Sequence, residues 1–125
     1  MAQRVVPLTC VIPANTAIAA PASFPLNFPS ADVERIDVRI PPGPSGLMGF
    51  SINYGGGNFI PEGNGQWIIA DDQFMQWNLD DAPNGGNWTI LAYNLDAISH
   101  TIYLYFNVTN LAAVNVPSGS GLIGL

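Results

Sequence analysis

The chain has 125 residues, 48% hydrophobic and only 10% charged, with nine acids against three arginines, no lysine and a net charge of −6. One domain is all this length accommodates, and it can bury roughly two-thirds of its unfolded surface without a metal or disulfide. The charge balance excludes a binder of phosphate backbones or anionic lipid, both of which need clustered cations, and thirteen glycines with eleven prolines exclude long helices.

The charges are also unevenly placed. All but Arg4 fall between Asp32 and Asp96, so both ends are nearly uncharged. Exposed tails normally carry enough charge to stay solvated. These ends therefore read as arms that lie on something: the chain's own sheet, a neighbouring copy or a larger assembly.

In chain order, Val5 to Ile12 reads as a strand. Pro7, Pro13 and Asn15 interrupt the apolar run, which argues against a secretion signal. The single Cys10 can form no intrachain disulfide and reads as a small buried hydrophobe. Pro21 to Pro29, PASFPLNFP, reads as an extended arm on a surface, anchored by Phe24, Leu26 and Phe28. No apolar run approaches the ~20 residues of a membrane span.

Asp32 to Tyr54 is the clearest local signal and predicts a hairpin. Ile36, Val38 and Ile40 alternate with Arg35, Asp37 and Arg39; Met48, Phe50, Ile52 and Tyr54 alternate with Gly49, Ser51 and Asn53. Between them PPGPSG (41–46) cannot continue a ladder, since its prolines lack backbone donors. The Arg35–Asp37–Arg39 face reads as solvent-facing or a polar contact. GGGN (55–58) is a tight turn, Phe59 and Ile60 a short strand, and EGNG (62–65) another turn. Strands follow at Gln66–Ala70 and around Met75, Trp77 and Leu79, with Asp71-Asp72 between them. After the loop Asp80 to Asn87, Trp88–Asn94 is apolar on both faces, as a central strand should be. His100–Val108 is the longest clean strand. Ile102, Leu104, Phe106 and Val108 point one way, and Thr101, Tyr103, Tyr105 and Asn107 the other. The tail has Gly and Ser hinges and ends in Leu122, Ile123 and Leu125.

About seven or eight short strands separated by turn signals predict an all-β fold: a single antiparallel β-sandwich of jelly-roll or Greek-key type. Residues 1–30 form an extended N-terminal strand and arm, 31–110 the core, and 111–125 a flexible apolar C-terminal arm.

No catalytic, cofactor or metal signature emerges, and the chain reads as non-enzymatic. Ser99, His100 and Asp96 do not make a triad, because neighbours on a strand face opposite ways. One His and one Cys cannot make a zinc site. Asp71-Asp72 and Asp80-Asp81 flank one strand at opposite ends and read as solvated loop acids. The glycine runs lack the Lys-Ser/Thr of a phosphate cradle. Trp67, Trp77, Trp88, Tyr54, Tyr93, Tyr103 and Tyr105 could build a sugar-stacking platform, but tryptophans of this kind belong first to the core. Tyr103 and Tyr105, two apart on an outward face, are the best interface pair.

The stretches VERIDVRIPPGPSGLMGFSI, GNGQWIIADDQFMQWNLDD and NWTILAYNLDAISHTIYLYFNV, within residues 32–108, resemble small virion surface proteins of tailed bacteriophages, of the capsid-decoration and head-fibre type. The resemblance carries over no functional residue. It implies a cement protein, assembled in the bacterial cytoplasm into the virion and often trimeric, that clamps the major capsid protein or other virion proteins. On that reading Phe24, Leu26, Phe28, Tyr103, Tyr105, Leu122, Ile123 and Leu125 supply interface contacts, without nucleic acid or membrane. The alternative is a receptor- or glycan-binding module on a fibre or tail.

Overall fold

The computed structural model describes residues 3–63, 65–79 and 84–109. Its elements are β1 (Gln3–Ile12), β2 (Ala22–Ile40), β3 (Met48–Tyr54), β4 (Gly57–Ile60), β5 (Ile68–Ile69), β6 (Gln73–Asn78), β7 (Asn84–Asn94) and β8 (His100–Thr109). There is no helix among the described residues.

β2 organises the fold because it belongs to two sheets. Its first half, Ala22 to Phe28, pairs with β7, and the register then shifts between Phe28 and Asp32. Pro29 falls in that shift and has no N–H for a ladder. The second half, from Asp32, lies between β8 and β6. Sheet I therefore runs β1–β8–β2(second half)–β6, and sheet II β2(first half)–β7–β3–β4, with β5 also against β3. Counting the halves of β2 separately, nine strands among the described residues form two antiparallel sheets. This order, with the first strand beside the last, is that of a jelly-roll β-sandwich.

The core lies between the sheets. Sheet I contributes Cys10, Ile12, Val33, Ile36, Val38, Ile40, Ile102, Leu104, Phe106 and Val108, all fully buried. Sheet II contributes Phe28, Met48, Phe50, Ile52, Trp88, Ile90 and Ala92. Across the sheets Phe106 meets Phe28 and Trp88, each at 5.7 Å between centroids, and within sheet II Trp88 meets Tyr54 at 4.9 Å and Phe59 at 5.3 Å. Such tilted pairs contribute about 0.5–1.5 kcal/mol each beyond the area they bury. Burial pushes the Cys10 thiol up to about 12, so it stays a neutral core group.

Two expectations need correction. Asp32–Tyr54 is not a hairpin: the second half of β2 is in sheet I and β3 in sheet II. Both edges of β2 there are already occupied by β6 and β8, so the proline-rich link becomes an arch from one sheet to the other. Asp71 Oδ1 holds it, accepting from the N–H of Gly43 at 2.9 Å and of Ser45 at 3.1 Å. The arch turns through positive φ at Gly43, Ser45 and Gly46.

Nor do the first thirty residues form an arm outside a core. β1 pairs with β8 from Gln3↔Thr109 to Ile12↔His100, and Ala22–Phe28 is a true ladder strand. Pro7 and Pro25 both sit on edge strands, where a missing donor is tolerated. The expected C-terminal arm lies outside the described residues.

Candidate interaction face

Alternation along β8 turns Ile102, Leu104, Phe106 and Val108 inward and leaves Tyr103, Tyr105 and Asn107 half-buried on the outer face of sheet I. The register supplies their neighbours. Tyr103 lies between Thr9 and Arg39, and Arg39 faces Phe74 across to β6. Tyr105 lies between Pro7 and Asp37, with Gln76 beyond. Asn107 lies between Val5 and Arg35, with Asn78 beyond. The tyrosines and the Arg–Asp–Arg run, which sequence reading assigned to different surroundings, thus share one surface.

Most of its charge cancels internally. Arg35 Nε lies 2.9 Å from Asp37 Oδ1 and Nη2 donates to Oδ2 at 3.1 Å, while Asn107 Nδ2 donates to the same Oδ2 at 3.3 Å. Arg39 is exposed and has no ion-pair partner among the described residues. Val5, Val11 and Phe74 each expose more than half of their surface. A nearly neutral sheet face carrying two tyrosines, a free arginine and scattered apolar groups has the composition of a protein-binding surface. Tyr103 and Tyr105 were legible from period two. Arg39, Phe74, Val5 and Val11 were not, because only the pairing of four distant strands collects them.

The remaining expected anchors behave differently. Phe28 is 3% exposed and inside the core, while Phe24 and Leu26 are half-buried against it. Period two along a ladder strand turns them inward, so they are not surface anchors. Leu122, Ile123 and Leu125 lie outside the described residues. The aromatic residues form no single platform: Trp88 is fully buried, and Trp67 stands edge-on to the buried Tyr93 at 5.0 Å.

The polar residues at the loop end are used in the fold. Asn94, fully buried, donates through Nδ2 to the carbonyls of Ile12 (3.3 Å), Pro13 (3.3 Å) and Ile98 (2.8 Å), and its Oδ1 accepts from Asp96 N–H at 3.0 Å. His100 Nε2 lies 2.8 Å from Asp96 Oδ2. That hydrogen bond, followed by one from Ala97 N–H, holds the Asp96 carboxyl below its usual value. His100 is buried while Ser99 is exposed, in keeping with their opposite facing. Asp71 is not merely a solvated acid, since it holds the arch; Asp80 and Asp81 lie outside the described residues. Among the described residues no group of three or more His, Cys, Asp or Glu could hold a metal ion.

No protein-family model matches the chain, and no characterised protein matches it by sequence. Its fold is similar to that of a chain in the capsid asymmetric unit of cyanophage Pam1, at TM-score 0.53 and 10% identity, over 85% of this chain and 83% of that one. It is also similar to the pre-peptidase C-terminal domain of a collagenase from Bacillus anthracis, at TM-score 0.45 and 13% identity, over 79% of this chain and 85% of that one.

Proposed function

We propose that this is a non-enzymatic structural protein of a bacteriophage virion, a capsid decoration protein that docks on the outer capsid surface and stabilises it. The observation that carries the reading is the outer face of sheet I: Tyr103 and Tyr105 beside Arg39, which has no ion-pair partner among the described residues, with Phe74 and two valines around them. Such a face binds by excluding water around a few aromatic and arginine anchors. The fold likeness to the Pam1 capsid chain and the resemblance of residues 32–108 to virion surface proteins support the same setting. Copies would act as a homo-oligomer, a trimer on the pattern of cement proteins. The uncharged tail, residues 111–125, would add apolar contacts with the major capsid protein.

The test is co-sedimentation with undecorated particles. Tyr103→Ala combined with Arg39→Ala is expected to weaken binding at least ~30-fold, the effect of losing about 2 kcal/mol at a central anchor. Removal of residues 111–125 is expected to abolish particle binding and leave the sandwich folded. Unchanged binding after both changes would overturn the proposal. A receptor- or glycan-binding role on a fibre would use the same tyrosines. It would survive loss of the tail and show sugar binding without particles.

A further inference from the structure

Arg35 and Arg39 share one strand and one face, yet the fold uses only the first. Asp37, between them, is 7% exposed. Its carboxylate meets Arg35 Nε at 2.9 Å and accepts from Arg35 Nη2 at 3.1 Å and Asn107 Nδ2 at 3.3 Å. Both of its oxygens are thereby engaged. No other carboxylate among the described residues reaches Arg39 as an ion pair.

The neighbours of Arg39 are rings. Across the ladders it faces Tyr103 on β8 and Phe74 on β6, and Phe74 is 53% exposed. Adjacent strands lie about 4.8 Å apart, so a group that docks on Arg39 also covers these two side chains. Thr9, beyond Tyr103, completes a row with no other charge. Solubility does not account for the arginine. With nine acids against three cations, each added cation brings the net charge of −6 closer to zero.

We propose that the protein docking on this face presents a carboxylate, surrounded by apolar side chains, that pairs with Arg39 between Tyr103 and Phe74. The inference rests on the proposed docking role and adds the partner's chemistry. Charge complementarity selects the carboxylate, because guanidinium offers a planar fork of donors that matches two carboxylate oxygens. The apolar surround follows from the row. Apolar groups laid on Tyr103 and Phe74 drive water from around the pair, and a close, shielded pair couples more strongly than one on open surface. With Arg35 committed to Asp37, the acid meets no competing cation on β2.

Two measurements test this. In the first, the capped peptides ALELA and ALQLA are titrated into the full-length protein and followed by NMR at Arg39 Nε–H and the Tyr103 ring. The glutamate peptide is expected to shift both signals and to bind at least ~5-fold more tightly than the glutamine peptide. Arg39→Gln should remove that preference. In the second, undecorated particles are titrated at rising salt. Arg39→Glu should bind at least ~10-fold more weakly than Arg39→Gln, and the native chain should lose affinity with salt more steeply than Arg39→Gln. A glutamate preference at Arg39 in a protein that ignores particles would sink the docking role and leave the carboxylate assignment standing. Failure of the glutamate peptide to shift Arg39 would overturn the assignment, as would equal binding of the two peptides. Particle binding by Arg39→Gln with the native salt dependence would overturn it while leaving the docking role intact. Self-association lost in Arg39→Gln with particle binding unchanged would also overturn it, by placing a second copy on the arginine.

Discussion

Tyr93 on sheet II and Tyr103 and Tyr105 on sheet I all point away from the core, yet Tyr93 is 5% exposed while the other two remain half-exposed. Two contacts make the difference. Beneath Tyr93 lies Gly49, where an added Cβ would fall 2.5–2.7 Å from the ring; above it stands Trp67. Ser51 and Asn53, outward on the same sheet, are likewise buried, and Asn53 Nδ2 donates to Ser51 Oγ at 3.0 Å. On sheet I the tyrosines are flanked by Thr9, Pro7, Arg39 and Asp37, which leave much of each ring in water. An outward aromatic serves the fold where a glycine makes room below it and a loop covers it. Without them it stays partly in water.

The contrast breaks most sharply at Gly49. Gly49→Val should lower stability by ~3 kcal/mol, through overpacking against a ring that Trp67 prevents from moving. Urea denaturation measures the loss, and a change within 0.5 kcal/mol of zero, roughly the usual effect of a surface substitution, would show that Tyr93 is not wedged. Asparagines give the next test. Asn94→Ala leaves three buried or half-buried carbonyls without their donor and should cost ~2 kcal/mol, whereas Asn107→Ala on the open face should cost under ~1 kcal/mol.

Acid titration comes third. The folded-state value of Asp96 is lowered, so its contribution to stability is present above the ordinary value of 3.8 and disappears as pH falls through and below it. The melting-temperature gap between the native chain and Asp96→Asn should therefore shrink below about pH 4. A gap independent of pH would remove the His100 pairing as its cause. The smallest effect on stability is expected on the proposed docking face: Tyr105→Ala should change unfolding free energy by under ~1 kcal/mol while weakening particle binding. A loss as large as that at Gly49 would make Tyr105 a fold residue.

Period two was enough to read the inward faces of β8, β3 and the second half of β2, because Ile102, Ile36 and Phe50 announce their side of the sheet locally. Partner choice was not legible. Residues 32–40 and 48–54 are neighbours in sequence with a turn between them, yet β6, β7 and β8 outcompete the short-range pairing. Phe24, Leu26 and Phe28 were misread for a related reason: prolines at 21, 25 and 29 suit a polyproline arm, and the same alternation also suits an edge strand that tolerates Pro25. Half of the candidate face could be read from Tyr103 and Tyr105. The other half depends on where Thr9, Arg39 and Phe74 fall in the register, which no short stretch encodes.

The continuity of β2 has a mechanical consequence. Nineteen consecutive residues run through both layers, so a load applied to the outer face of sheet I passes along covalent backbone into sheet II. Parting the layers would require shearing the β2–β7 and β2–β8 ladders along their length, with many hydrogen bonds strained together, rather than unzipping them one by one. A body built this way resists being pried open through the face that carries Tyr103 and Tyr105.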